Sequence, residues 1–133
     1  GKSADRSNWR IAREVVVADS STEARKQALS GTLARDMECY FLKLLPRSKM
    51  MGLLKIDPNM PDSDVTVEYL VDNIFIVGSP EEVTEKLSSL DESVGGFGTL
   101  MAMGHEWVPE GFWKTSMGLL KEEVMPKLKT LGR

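Results

Sequence analysis

An α/β fold with about three mostly parallel strands and long amphipathic helices is what this chain predicts, and three observations carry that reading. Runs rich in β-branched and apolar residues, at 11–18, 74–77 and 99–103, alternate with segments whose apolar residues recur every three or four positions. The turn chemistry between them is helix-starting and helix-ending rather than hairpin-forming. The apolar runs are nearly continuous, as in strands covered by helices on both faces.

The stretch from Asn73 to Trp107 organises the rest. Ile74, Phe75, Ile76 and Val77 read as a strand, Gly78-Ser79-Pro80 as a helix start, Gly95-Gly96 as its end, and Thr99 to Met103 as a second strand. Ser79 suits the N-cap, Pro80 the first helical position, and Glu82 the far end of a capping box. Val83, Leu87 and Leu90 form one stripe, so a parallel βαβ unit is expected. Upstream, Ile11 to Ala18 predicts a further strand. Ser20 with Glu23 opens a helix whose stripe of Leu29, Leu33, Met37, Tyr40, Phe41 and Leu44 runs to about Pro46. Residues 46–65 hold three prolines and three methionines without a period, which predicts a loop or a lid; Met50, Met51, Leu53, Leu54 and Met60 are its candidate cover for an apolar pocket. Thr66 caps a short helix through Tyr69, Leu70 and Val71. A last helix starts near Pro109-Glu110, with Trp113, Met117, Leu120, Val124 and Leu128 along one face, a kink or restart at Pro126, and Lys127, Lys129 and Arg133 at the negative end of its dipole. Residues 1–8 are polar and predict a frayed arm.

Composition excludes several functions. With 41% hydrophobic and 28% charged residues and a net charge of −3, the chain has a globular balance and no electrostatic footprint for nucleic acid or an anionic membrane. No apolar run reaches the roughly 18 residues of a membrane span. Cys39 is the only cysteine, so no internal disulfide or zinc set is expected, and a reducing cytoplasm is the expected location.

His105 is the only histidine and directly follows an apolar strand, in Gly104-His105-Glu106-Trp107. It is the candidate catalytic residue, as acid, base or substrate contact; Met103 and Trp107 beside it are the candidate substrate-pocket residues. With no second histidine at ligand spacing, no metal site is expected. Gly78-Ser79-Pro80 could receive a phosphate, but Ser79, Glu81 and Glu82 argue against an anion there. Gly95-Gly96-Phe97-Gly98 enters a strand rather than leaving one, so it is no dinucleotide fingerprint. Trp113 reads as core.

The wording IVGSPEEVTEKL followed by GGFGTLMAMGHEW resembles the C-terminal part of the bacterial-luciferase-like flavin-dependent monooxygenases, in the limonene and alkane monooxygenase-like branch. Trp9 to Asp19 with Glu23-Ala24-Arg25, and Glu123-Val124-Met125-Pro126-Lys127-Leu128, extend the similarity to nearly the whole chain. The resemblance implies a (β/α)₈ TIM-barrel-like fold, FMN as the family's cofactor, and insertion of one oxygen atom into a small apolar organic substrate. It places the ends of Val15–Ala18 and Leu100–Met103 on the substrate side. A complete barrel takes roughly 250 residues, so 133 residues form a partial unit. The expectations are therefore a single α/β domain over 1–133, weak or absent FMN binding and no activity by this chain alone, and cofactor-binding residues left unassigned. Exposed strand edges further predict self-association as a homodimer or larger, or association with a chain supplying the missing strands. The alternative is a non-catalytic α/β module that acts through such association.

Overall fold

The computed structural model describes residues 5–130, with backbone alone at 129 and 130. The first four residues of the polar start and the side chains of Lys129 and Arg133 lie outside the described residues. Three parallel strands, β1 (Arg10–Val17), β2 (Ile76–Gly78) and β3 (Thr99–Met103), form one sheet in the order β2-β1-β3. The register pairs Val15 to Val17 with Ile76 to Gly78 on one side, and Arg10 to Glu14 with Thr99 to Met103 on the other. The βαβ unit read from the sequence is real, but its strands are not neighbours, because β1 lies between them. The partial barrel-like α/β architecture is as expected.

The helices are α1 (Ser21–Ser30), α2 (Thr32–Asp36), α3 (Leu42–Arg47), α4 (Val67–Asn73), α5 (Pro80–Val94), α6 (Glu110–Leu119) and α7 (Met125–Thr130). The single long helix expected up to Pro46 is broken at Gly31, which caps both α1 and α2, and by a wide π turn over Met37–Phe41. A second π turn, Leu120–Val124, joins α6 to α7. Pro126 explains the restart there, since its missing N–H cannot close an α turn and its ring crowds the preceding carbonyl. The four positions read as a strand from Ile74 shift by two residues: Ile74 and Phe75 still donate their amides to the Leu70 carbonyl at the end of α4.

Caps hold as expected at three starts, where Ser20, Thr66 and Ser79 accept the amides of Glu23, Tyr69 and Glu82. The box at Ser79 does not close, however, because its own N–H donates to Ser21 Oγ at 3.2 Å, tying β2 to α1 instead. Gly95, at φ 73°, ends α5 in the left-handed conformation that glycine adopts without a Cβ penalty.

Two clusters of buried residues cover the upper half of β1. Val16 and Ala18 pack with Ala24, Leu33, Leu70 and Trp113, while Val15 and Val17 pack with Val83, Leu87, Leu120 and Val124. Burying each valine or leucine among them contributes about 1.5–3 kcal/mol. Trp113 is core, as read from the sequence. β3 departs from expectation: its side chains alternate, with Met101 and Met103 exposed and Leu100 and Ala102 partly covered. Apart from Thr99 the run is apolar, yet Met101 and Met103 on one face stay exposed.

Residues 46–65 contain two short 3₁₀ turns, Met51–Leu54 and Asp62–Asp64. Met51 and Val65 are buried in the core, Lys55 pairs with Asp62 at 2.6 Å, and the Ile56 amide donates to Tyr69 Oη at 2.9 Å. Among the described residues no helix is long and apolar enough to cross a membrane.

Candidate functional site

β3 stops at Met103, opposite Glu14 of β1, and the chain then turns sharply through Gly104 and His105. Gly104 is needed for close approach: a Cβ there would stand 3.0 Å from the Trp113 ring and 3.2 Å from the Trp107 ring. His105 and Trp107 both take left-handed backbone conformations, at φ 52° and 56°, which non-glycine residues adopt uncommonly. This turn drives the imidazole inward. Its side chain is 8% exposed, with Nδ1 3.2 Å from Asp36 Oδ2 and Nε2 3.7 Å from Glu14 Oε1. The left-handed turn folds the ring back under Phe41, 6.0 Å away edge to face.

A line of polar groups runs from the surface to this ring. Arg35 donates to Asp36 at 3.0 Å and to Glu106 at 2.8 Å, and Asp36 in turn holds His105. The Arg35 hydrogen bond, more than the one from His105, holds the Asp36 carboxyl below the usual carboxylate range, while Glu106 and Asp36 push the Arg35 guanidinium up. At the inner end Nε2 is buried without a hydrogen-bond partner among the described residues.

Beside this line lies an open cleft of about 970 Å³, whose walls include Glu14, Met37, Phe41, Leu54 and Met103. Met103, one of the two pocket residues read from the sequence, therefore faces the cleft. Trp107 stacks edge to face on Trp113 at 5.1 Å, half exposed, and is not among the residues lining it. Glu14 and Asp36 were not singled out by the sequence. Glu14 did leave a signal, a carboxylate inside the β-branched run before Val15; Asp36 left none, since only the fold brings it to His105.

Ser116, which has no histidine near it in sequence, is 2% exposed, and its Oγ accepts the Val17 amide at 2.9 Å. That amide points to the side where β3 has already ended, so the hydroxyl completes the strand. The turn at Ser79 is equally committed. A Cβ on Gly78 would meet Glu82 Oε2 at 2.5 Å, so the Glu82 carboxylate lies over the turn, and Glu81 stands next to it. Among the described residues no group of three or more histidine, cysteine or acidic side chains could hold a metal ion.

The relationship to luciferase-like flavin-dependent monooxygenases read from the sequence is matched by what this chain is similar to among known proteins. The chain is 36% identical over 129 residues to 3,6-diketocamphane 1,6-monooxygenase of Pseudomonas putida, matching 96% of this chain and 34% of that protein. It is 33% identical to 2,5-diketocamphane 1,2-monooxygenase 2 of the same organism and 26% identical to limonene 1,2-monooxygenase of Rhodococcus erythropolis, across 98% and 95% of this chain. Among solved structures it superposes with a TM-score of 0.87 on a type II Baeyer-Villiger monooxygenase, the oxygenating constituent of 3,6-diketocamphane monooxygenase from the CAM plasmid of Pseudomonas putida in complex with FMN. That match, at 36% identity, covers 96% of this chain and 35% of the other. The chain spans about a third of the length of the curated relatives it matches. No family model matches it.

Proposed function

We propose that this chain is the C-terminal segment, one α/β domain over 1–133, of a flavin-dependent monooxygenase that acts on a small apolar organic substrate in the cytoplasm, and that it is inactive alone. The observation that carries the reading is the superposition at TM-score 0.87 on about a third of an FMN-containing monooxygenase. In this reading residues 46–65 flank the cleft as a loop or lid, Met103 and Trp107 belong to the substrate side, and His105 supplies the imidazole of the site.

The residues present do not fit the phosphate of FMN. At the start of α5 Ser79 takes the Glu82 amide and the Glu82 carboxylate covers the turn, and at the start of α1 Asp19 and Glu23 add negative charge around an amide already capped by Ser20. The flavin is then held by strands this chain does not contain, and what this chain supplies is one wall of a substrate cavity: apolar side chains that exclude water and orient a small molecule.

Flavin titration followed by fluorescence tests this. The expected result is no saturation in the low micromolar range by the chain alone; saturation there would overturn it. A second reading, a non-catalytic module that works by association, is favoured by the same exposed face of β3 and predicts colourless protein that stays unreactive with reduced flavin even when the remaining two-thirds of a relative is supplied.

A further inference from the structure

We propose that His105 is a proton-operated clasp: with one ring proton it holds Asp36 alone, and with a second it also takes hold of Glu14, drawing β1 toward the π turn over Met37–Phe41. Its bearing on substrate rests on the cleft reading above, whereas its proton response is measured with neither flavin nor substrate present, so each can fail without the other.

The contact with Asp36 is fixed. Arg35 pairs with both Asp36 and Glu106, so one guanidinium ties the end of α2 to the turn after β3. The same guanidinium holds the Asp36 carboxyl below its ordinary range, and an ionised carboxylate only accepts hydrogen bonds. The proton of a neutral His105 ring is therefore the one on Nδ1, donated to Asp36 Oδ2 at 3.2 Å. The turn itself is set by the left-handed backbone at φ 52°, a conformation that persists in a non-glycine residue only where its surroundings impose it.

The contact with Glu14 is incomplete. Nε2 is buried, makes no hydrogen bond, and stands 3.7 Å from Glu14 Oε1, inside ion-pair range but beyond hydrogen-bond length. In the neutral ring this nitrogen carries a lone pair, which a carboxylate oxygen, itself an acceptor, does not satisfy. A second proton, taken from solvent, turns Nε2 into a donor. The gap then closes toward about 2.8 Å, the usual length of a charge-assisted N–H···O bond.

Neighbouring charges leave this pair to itself. Among the described residues the ring's ion-pair partners are Glu14 from β1 and Asp36 from the end of α2, while Glu106 of its own turn reaches Arg35 instead. Arg13, next to Glu14, turns its guanidinium to the Ala12 carbonyl at 2.9 Å. Of the other charged residues lining the cleft, Lys86 donates to the Val77 carbonyl at 2.6 Å and Asp72 receives Arg25. The π turn meets the ring through Phe41, an uncharged edge-to-face contact at 6.0 Å.

The half of β1 that carries Glu14 is the half free to move. Residues 15–17 are held between β2 and the helices, whereas 10–14 pair with β3 on one side and with no strand of this sheet on the other. Glu14 pairs in register with Met103, and both line the cleft together with Met37 and Phe41 of the π turn. Closing the clasp thus shifts the walls of the cleft against one another.

The test is a pH titration of the whole chain from about pH 8 to about pH 5, the window in which imidazoles ordinarily change charge, followed by carbon-13 NMR of the histidine ring, the glutamate carboxyls and the methionine methyls. His105 is the only histidine, so its signal assigns itself. The expected result is that the ring, the Glu14 carboxyl and the Met37 and Met103 methyls shift through one shared midpoint, while the methyls of Met117 and Met125, which do not line the cleft, stay still. Glu14→Gln should uncouple them: its side-chain amide donates to the neutral ring and its carbonyl accepts from the charged one, so the clasp stays closed and the methyls cease to follow the histidine. A merely structural role for Glu14 would not produce that split. A ring that keeps its charge state across the window, cleft methyls that ignore its titration, or a glutamine variant whose methyls still follow it, each overturns the clasp. The wild-type titration decides the matter even if the variant does not fold.

Discussion

Val15 to Ala18 and Arg10 to Glu14 belong to one continuous stretch of chain, but their surroundings differ in kind. The upper residues are 0–4% exposed, enclosed by helices on both faces. The lower ones pair with β3 and are otherwise partly open, with Arg10 and Ala12 exposed beside Met101 and Met103. The upper half is enclosed by helices of this chain; the lower half sets Arg10, Arg13 and Glu14 of β1 beside a β3 whose Met101 and Met103 stay exposed. The difference locates where stability resides and where association is to be expected, and each can be tested.

The largest effect should come from the closed half. Leu87→Ala removes a side chain 2% exposed and is expected to cost about 2–5 kcal/mol in urea denaturation. A cost below about 1 kcal/mol would mean that the outer cluster is looser than its burial implies. Ser116→Ala should follow, at about 1–3 kcal/mol, because the buried Val17 amide would lose its acceptor. His105→Ala is expected to cost about 1–3 kcal/mol as well, since the ring is buried and bonded to Asp36; a change within about 0.5 kcal/mol, typical of exposed positions, would show that the post-strand turn holds itself.

The open half should betray itself by association rather than by stability. Met101→Ala is expected to change monomer stability by no more than about 0.5 kcal/mol. Sedimentation equilibrium at micromolar concentration should show the wild-type chain as a homodimer or larger, the commonest way to cover an exposed strand edge and apolar face. A single species at 14.8 kDa would show that the exposed face of β3 tolerates water.

The smallest effect concerns a surface pair. Arg25 forms two hydrogen bonds to Asp72, at 2.7 and 2.9 Å, and thereby holds that carboxyl below its ordinary value. A carboxyl lowered in the folded state adds stability above the ordinary carboxylate pKa and loses it as pH falls through the lowered value. Arg25→Ala should thus be slightly less stable at neutral pH and converge with wild type in acid. Parallel curves over the whole range would show that the pair contributes nothing, as many exposed pairs do.

Much of this fold was legible because local chemistry and global packing agree. Ser79-Pro80 at one end of α5 and Gly95 at the other mark a helix that tertiary contacts only confirm. The helix after Ser20 was legible in its start but not in its breaks, since a π turn at Met37–Phe41 leaves the apolar period almost intact. The strand order was not legible at all: β2 and β3 are equally apolar, and nothing local says which of them β1 will join. The site was half visible. His105 stood out by type and by its place after a strand, while its burial depended on a left-handed turn that a non-glycine residue does not announce. Asp36, 69 positions away, could be found only through the fold.

The π turn beside Asp36 also bears on how this protein tolerates changes of length. Such a turn is an α-helical turn carrying one residue more than it needs, so excising a single residue, for instance the exposed Cys39, would let the backbone close to ordinary α geometry. Because the wide turn is what absorbs the extra residue, the helical turns before and after it would stay nearly in phase, with Asp36 just before it and Phe41 at its end still able to meet the His105 ring together. Removing a residue from α2 or α3 instead would turn everything beyond it by about 100°, the angular step of one helical residue. One-residue gaps among relatives should therefore fall within these five positions more readily than in the α-helical turns on either side.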